Sequence, residues 1–157
     1  LCDSIIGGDE SVFDGNHNGW EASDLRGWLQ EGLEDSKGIA VAETTTGYTY
    51  AGKSSDYMIS ERKFTKRKQP GSKTEDQLFC LSLEEAIRYG NYLWKLEGSE
   101  TDNFNLAGSH AMGYWLRTPA ARDGKQCYAV TYDGKVAPEQ VDNDRIGNRP
   151  AFVAVQE

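Results

Sequence analysis

Apolar residues recur at helical spacing in two places and gather into short strand-like runs in the last third of the chain. Leu25, Trp28 and Leu29 stand three and four apart behind Ser23, whose hydroxyl can cap free backbone N–H groups. This predicts a helix that ends near Gly32 and buries those three side chains. A second helix has a fuller signature. Ser82 followed three residues later by Glu85 makes a capping box, Leu81 and Ala86 take the hydrophobic staple positions, and Ala86, Tyr89, Leu93 and Trp94 mark an inner face. Residues 39–50 alternate loosely and are rich in Thr and Tyr, which predicts one or two exposed strands, and 53–73 reads as mostly polar loop. Residues 98–112 form a connection long enough to expect function or mobility in it. Beyond it strands are expected at 114–118, 128–132, 135–137 and 151–155, with Asp133 and Gly134 as a two-residue hairpin turn. The order is that of an α+β domain, two short helices packed on antiparallel strands and hairpins.

A length of 157 residues with 38% hydrophobic content supports one domain spanning 1–157. Four Trp, eight Tyr and five Phe make its core aromatic-rich, and 17 Gly against 4 Pro favour many turns. The net charge of −8 speaks against non-specific nucleic-acid binding. The basic run at 62–68 is read as a solvated loop or a strand edge guarded by Lys and Arg. No apolar run reaches the length of a membrane span. Because the chain opens on Leu1 in a strand-like stretch, a preceding signal segment or strand is expected, with an extracellular or cell-surface location. Cys2, Cys80 and Cys127 lie far apart in apolar contexts, the setting of small buried hydrophobes rather than of a zinc or redox motif. One disulfide plus a free thiol stays open for an exported chain.

Arg117 and Arg149 sit within apolar strand segments, where an unpaired guanidinium would cost several kcal/mol, so each is expected to pair internally, with Glu21, Glu84 and Glu85 as candidates. Trp20, Trp28 and Trp115 read as core. The acidic residues of 139–144 offer oxygen ligands for a hard cation, but a solvated acidic turn is the simpler reading: the chain lacks both the lectin E-P-N or Q-P-D tripeptide and an EF-hand pattern. His17 and His110 stand in Gly- and Asn-rich loops without a nucleophile motif, and no phosphate loop, dinucleotide fingerprint or metalloprotease helix occurs. No cofactor and no metal are expected, and nothing in the chain demands an enzyme.

Residues 113–119, 127–136 and 148–153 resemble the C-terminal half of a bacterial domain family of unknown function, common in Gram-positive gut bacteria, with a W-L-R-[ST]-P strand, a hairpin and a closing R-P-A-[FL] strand. Residues 20–29 resemble its W-E-x-S-x-L-R-x-W-L helix start, and 74–89 its T-x-D-x-x-F-L-L-S-L-E-E-A segment, whereas 34–73 is poorly matched. The resemblance implies a C-type-lectin-like fold related to formylglycine-generating enzymes. Those relatives bind copper through a close cysteine pair near the C-terminus; Cys127 stands alone there, so oxidase chemistry is not carried over. Some lectin-like domains of this kind are rewritten by diversity-generating retroelements, and Asn148 replaces a Val of the family's G-V-R-P-A-F.

The expected function is that of a non-enzymatic module presenting loops on a rigid scaffold to a protein or glycan. The candidate surface is Asn103, Phe104, His110, Arg122, Asp123, Gln140, Asp142, Asn143, Arg145 and Asn148. The alternatives are a structural module of a bacterial surface protein or, with little support from fold analogy, a hydrolase or oxidase.

Overall fold

The computed structural model describes residues 12–31, 38–46, 48–50, 57–58, 66–68, 72–89, 113–120, 123–131 and 135–155. Among them it is a mixed α+β structure with few, short helices and mostly antiparallel strands.

A 3-10 turn at Trp20–Ala22 leads into α1, Asp24–Glu31. Ser23 caps it, accepting from the Arg26 N–H at 3.1 Å as its spacing predicted. Leu25 and Leu29 are buried, each contributing about 1.5–3 kcal/mol, but Trp28 is 46% exposed, against expectation. The inward arc of α1 runs instead through Arg26 and Gln30. Arg26 Nε donates to Asp76 Oδ1 at 2.7 Å, and Gln30 donates to the Leu78 carbonyl at 2.6 Å while accepting from the Gln77 N–H at 3.1 Å.

The next segment supplies β1 (Ile39–Ala40), β2 (Ala42–Thr45), β3 (Tyr48–Tyr50), β4 (Tyr57–Met58), β5 (Lys66–Lys68) and β6 (Lys73–Asp76). The polar loop expected at 53–73 therefore contains strands. β5, the end of the basic run, pairs with β3, and β4 joins the main sheet. Composition hid them because these strands are two or three residues long and defined by distant partners. β2 and β6 pair so that Thr44 and Thr74 stand opposite one another, with Asp76 beside them. The Asp76 carboxylate, 1% exposed, accepts from both Thr hydroxyls (2.8 and 2.6 Å), from the Trp20 indole N–H (3.1 Å) and from Arg26. Burial pushes its pKa up, and these hydrogen bonds outweigh that and hold it below the ordinary value.

α2 (Leu83–Arg88) carries the full capping box: Ser82 Oγ accepts from the Glu85 N–H at 3.1 Å, and Glu85 Oε2 accepts from the Ser82 N–H at 2.9 Å. Leu81 and Ala86 are both buried, as the staple requires. Tyr89 is not on the inner face; it ends the helix and is exposed, while Leu93 and Trp94 lie outside the described residues.

The main sheet is built from β7 (Gly113–Pro119), β8 (Gln126–Thr131), β9 (Lys135–Gln140) and β10 (Ile146–Gly147), in the order β10-β7-β8-β9-β4. All its pairings are antiparallel except β10 with β7. β8 pairs with β9 as the expected hairpin requires, but Val130 faces Val136, whereas a two-residue Asp133-Gly134 turn would set it opposite Ala137; the pairing is one residue off that register, and the turn itself lies outside the described residues. Gly113 is required by close approach: a Cβ there would meet the Val130 carbonyl oxygen at 2.2 Å. β11 (Val153–Ala154) pairs with β1. The core gathers Trp20, Phe13 and Trp115 with Leu25, Leu29, Leu83, Leu116 and Val130; the Phe13 and Trp115 rings meet edge to face at 5.6 Å. No helix among the described residues is long and apolar enough to cross a membrane.

Candidate functional site

Three connections meet at one end of the main sheet. Val141, buried after β9, donates its N–H to the Lys125 carbonyl at 2.9 Å, and its own carbonyl accepts from the N–H groups of Phe13 and Asp14 at 2.9 and 3.1 Å. The Asn18 N–H donates to the Gly124 carbonyl at 2.9 Å, and Asn18 Nδ2 lies within hydrogen-bonding distance of the carbonyls of Ala120, Asp123 and Gln126 (3.3, 3.0 and 2.8 Å). One asparagine thus ties the segment before α1 to the β7–β8 turn. A buried strut, Asp14, stiffens the first connection by accepting from the N–H groups of Asn16 (2.7 Å), His17 (3.0 Å) and Asp24 (3.2 Å). Burial raises the Asp14 pKa, and these backbone donors, helped by His17, bring it below the ordinary value.

On this braced frame Asp123, Gln140, Asp142 and Arg145 are exposed and Asn143 is half-buried. The turns hold themselves: Asp123 Oδ1 accepts from the Lys125 N–H at 2.9 Å, the Gln140 carbonyl from the Asn143 N–H at 3.0 Å, and Asn143 Oδ1 from the Arg145 N–H at 3.0 Å. Val141 and Ile146, both 2% exposed, pin the two ends of the 141–146 turn. Five of the expected surface residues therefore share one end of the sheet. Asn103, Phe104, His110 and Arg122 lie outside the described residues.

Asn148 does not belong to the surface. It is fully buried, and neither end of its amide has a hydrogen-bond partner. It follows β10, whose pairing sets Gly147 beside Tyr114, so the strand register carries it into the core. Its polarity alone had placed it outside. Asn18 and Asp14, which brace the site, were missed; the Asp-Gly-Asn-His-Asn run from 14 to 18 carried the signal, since these are the residues whose side chains organise turns.

His17 Nδ1 accepts from the Gly19 N–H at 3.3 Å while Nε2 faces Asp14 Oδ2 at 3.5 Å, so both ring nitrogens already have partners. Cys80 and Cys127 are fully buried free thiols. Burial pushes Cys80 up to about 12 and Cys127 well above its ordinary value, which leaves negligible thiolate at neutral pH. Among the described residues, no three of His, Cys, Asp and Glu gather as a metal site.

No curated protein and no solved structure matches the chain. A family model described as "Domain of unknown function (DUF6273)" matches residues 3–154, and the chain belongs to that family.

Proposed function

We propose that this domain is a non-enzymatic binding module that presents the connections at 14–19, 123–125 and 140–145 to a protein or glycan, on a C-type-lectin-like scaffold. The observation that carries this reading is the division of labour at that end of the sheet. Backbone groups, the buried Asp14 and Val141 and the half-buried Asn18 lock the connections together, while Asp123, Gln140, Asp142 and Arg145 are exposed to water. Preorganised polar side chains lose little entropy when a ligand arrives, which is the economical design for recognition. Both signs of charge and two amides suit hydroxyl-rich or mixed-charge ligands. The engaged nitrogens of His17 and the buried thiols support the non-enzymatic reading.

The test is a screen of the chain against a glycan array and a displayed protein library, repeated with Asp123→Ala, Asp142→Ala and Arg145→Ala combined. A hit lost in the triple variant at unchanged melting temperature is the expected result. A hit that survives it, or turnover of any bound candidate, contradicts the reading.

A further inference from the structure

The outward side of α1 has a composition that the packing of the domain does not explain. Leu25 and Leu29 are buried, and Arg26 and Gln30 are drawn toward Asp76 and Leu78, so the inward arc of the helix is fully used. What remains outside is Glu21 from the preceding turn, then Asp24, Trp28 and Glu31, all exposed and spaced three, four and three apart as one stripe. The residue normally kept inside, tryptophan, is here turned out, and the cation of the same helix, Arg26, is turned in to Asp76 and the Glu21 carbonyl. Trp28 stands outside the buried core, 46% exposed, and Glu21, Asp24 and Glu31 are exposed on the same stripe.

We propose that this face of α1 docks an arginine-bearing segment of a partner protein. An indole face is the strongest side-chain platform for a cation, and a guanidinium can stack on it while its N–H fork reaches neighbouring carboxylates, which a lysine ammonium does less well. Charge complementarity identifies the occupant. The stripe carries acids and no base, and the chain's net charge of −8 draws a basic segment toward it. Asp24 touches the 14–19 connection through Gly15, but the residues changed in the test below, Glu21, Trp28 and Glu31, are not those substituted at the end of the sheet, so either reading can fail without the other.

The probe is an end-capped oligo-arginine peptide, compared by calorimetry with the matching oligo-lysine peptide at low and near-physiological salt. Arginine is expected to bind more tightly than lysine. Trp28→Ala should weaken arginine binding about five-fold or more, and Glu21→Lys with Glu31→Lys about ten-fold or more. Glu75→Lys, an exposed charge on β6, should change it less than about two-fold, which separates the site from the general acidity of the chain. All variants should keep the parent circular dichroism. Equal binding of the two peptides with a silent Trp28→Ala overturns the proposal, as does an equal effect of Glu75→Lys. A parent that ignores the peptide but forms a concentration-dependent dimer broken by Trp28→Ala would also overturn it, assigning the face to a second copy of the chain.

Discussion

Arg117 on β7 and Glu85 in the first turn of α2 form a two-pronged ion pair, Nη1 to Oε2 at 2.7 Å and Nη2 to Oε1 at 2.9 Å. Arg117 is 2% exposed, and its guanidinium donates also to the Cys80 carbonyl at 2.7 Å and lies 5.6 Å over the Phe79 ring. Glu85 closes the capping box of α2 at the same time, so one carboxylate fixes the helix to the sheet and starts the helix. Glu85→Ala should cost about 3–5 kcal/mol in urea unfolding because it orphans a buried cation. A loss under about 0.5 kcal/mol would mean that the pair does not hold the helix.

Stability should fall on acidification with a definite sign. Burial pushes Glu85 up, but the Arg117 hydrogen bonds and charge and the Ser82 bonds outweigh it and leave its pKa lowered, as donors do for Asp14 and Asp76. A carboxyl with a lower pKa folded than unfolded releases its proton more readily in the native state. Its contribution is therefore complete above the ordinary carboxylate range, about pH 4, and is lost as pH drops through the folded values. Melting temperature measured from pH 7 downward should hold until about pH 5 and then fall, less steeply in Glu85→Gln. A melting temperature that rises below pH 4 would contradict this.

Asn148 stands fully buried with an unpartnered amide. Replacing it with Val removes two unsatisfied polar groups at little change in shape and should raise stability by about 1–3 kcal/mol. Chemical denaturation of Asn148→Val checks this, and a loss of stability would show that the amide is satisfied in solution.

Cys80 and Cys127 should not react. In a Cys2→Ser background, a thiol reagent at neutral pH should label neither until urea unfolds the chain, since both sulfurs are buried and Cys127 Sγ is engaged with the carbonyls of Leu116 (3.1 Å) and Thr118 (3.2 Å). Stoichiometric labelling of the folded protein would refute that burial.

What the sequence revealed was what neighbours in the chain decide. The caps at Ser23 and Ser82 and the staple of Leu81 with Ala86 follow from spacings of three to five residues and are present, and β8 pairs with β9, though one residue off the register of a two-residue turn. Arg117 was also legible, because a cation within an apolar strand must find an anion. The failures came where a distant partner decides. Arg26 faces inward because Asp76, fifty residues on, receives it, and Trp28 is displaced to the surface by that choice. β4 and β5 are strands only because β9 and β3 pair with them, and Asn148 is inside because β10 runs parallel to β7. Of the site, the exposed turn residues were readable from polarity and the bracing Asp14 and Asn18 were not, since their acceptors and donors come from several elements.

If folding and binding use separate sets of residues, as proposed, a saturation-mutagenesis library of the displayed chain, sorted once for folded molecules and once for a ligand found by screening, will separate them. Asp123, Gln140, Asp142 and Arg145 should tolerate substitution in the first sort, within about 0.5 kcal/mol, and fail in the second. Asp14, Asp76, Glu85 and Arg117 should fail already in the first. Ligand-specific failures confined to other surfaces, such as Lys66–Lys68 of β5, with the loop residues indifferent in both sorts, would contradict the proposal.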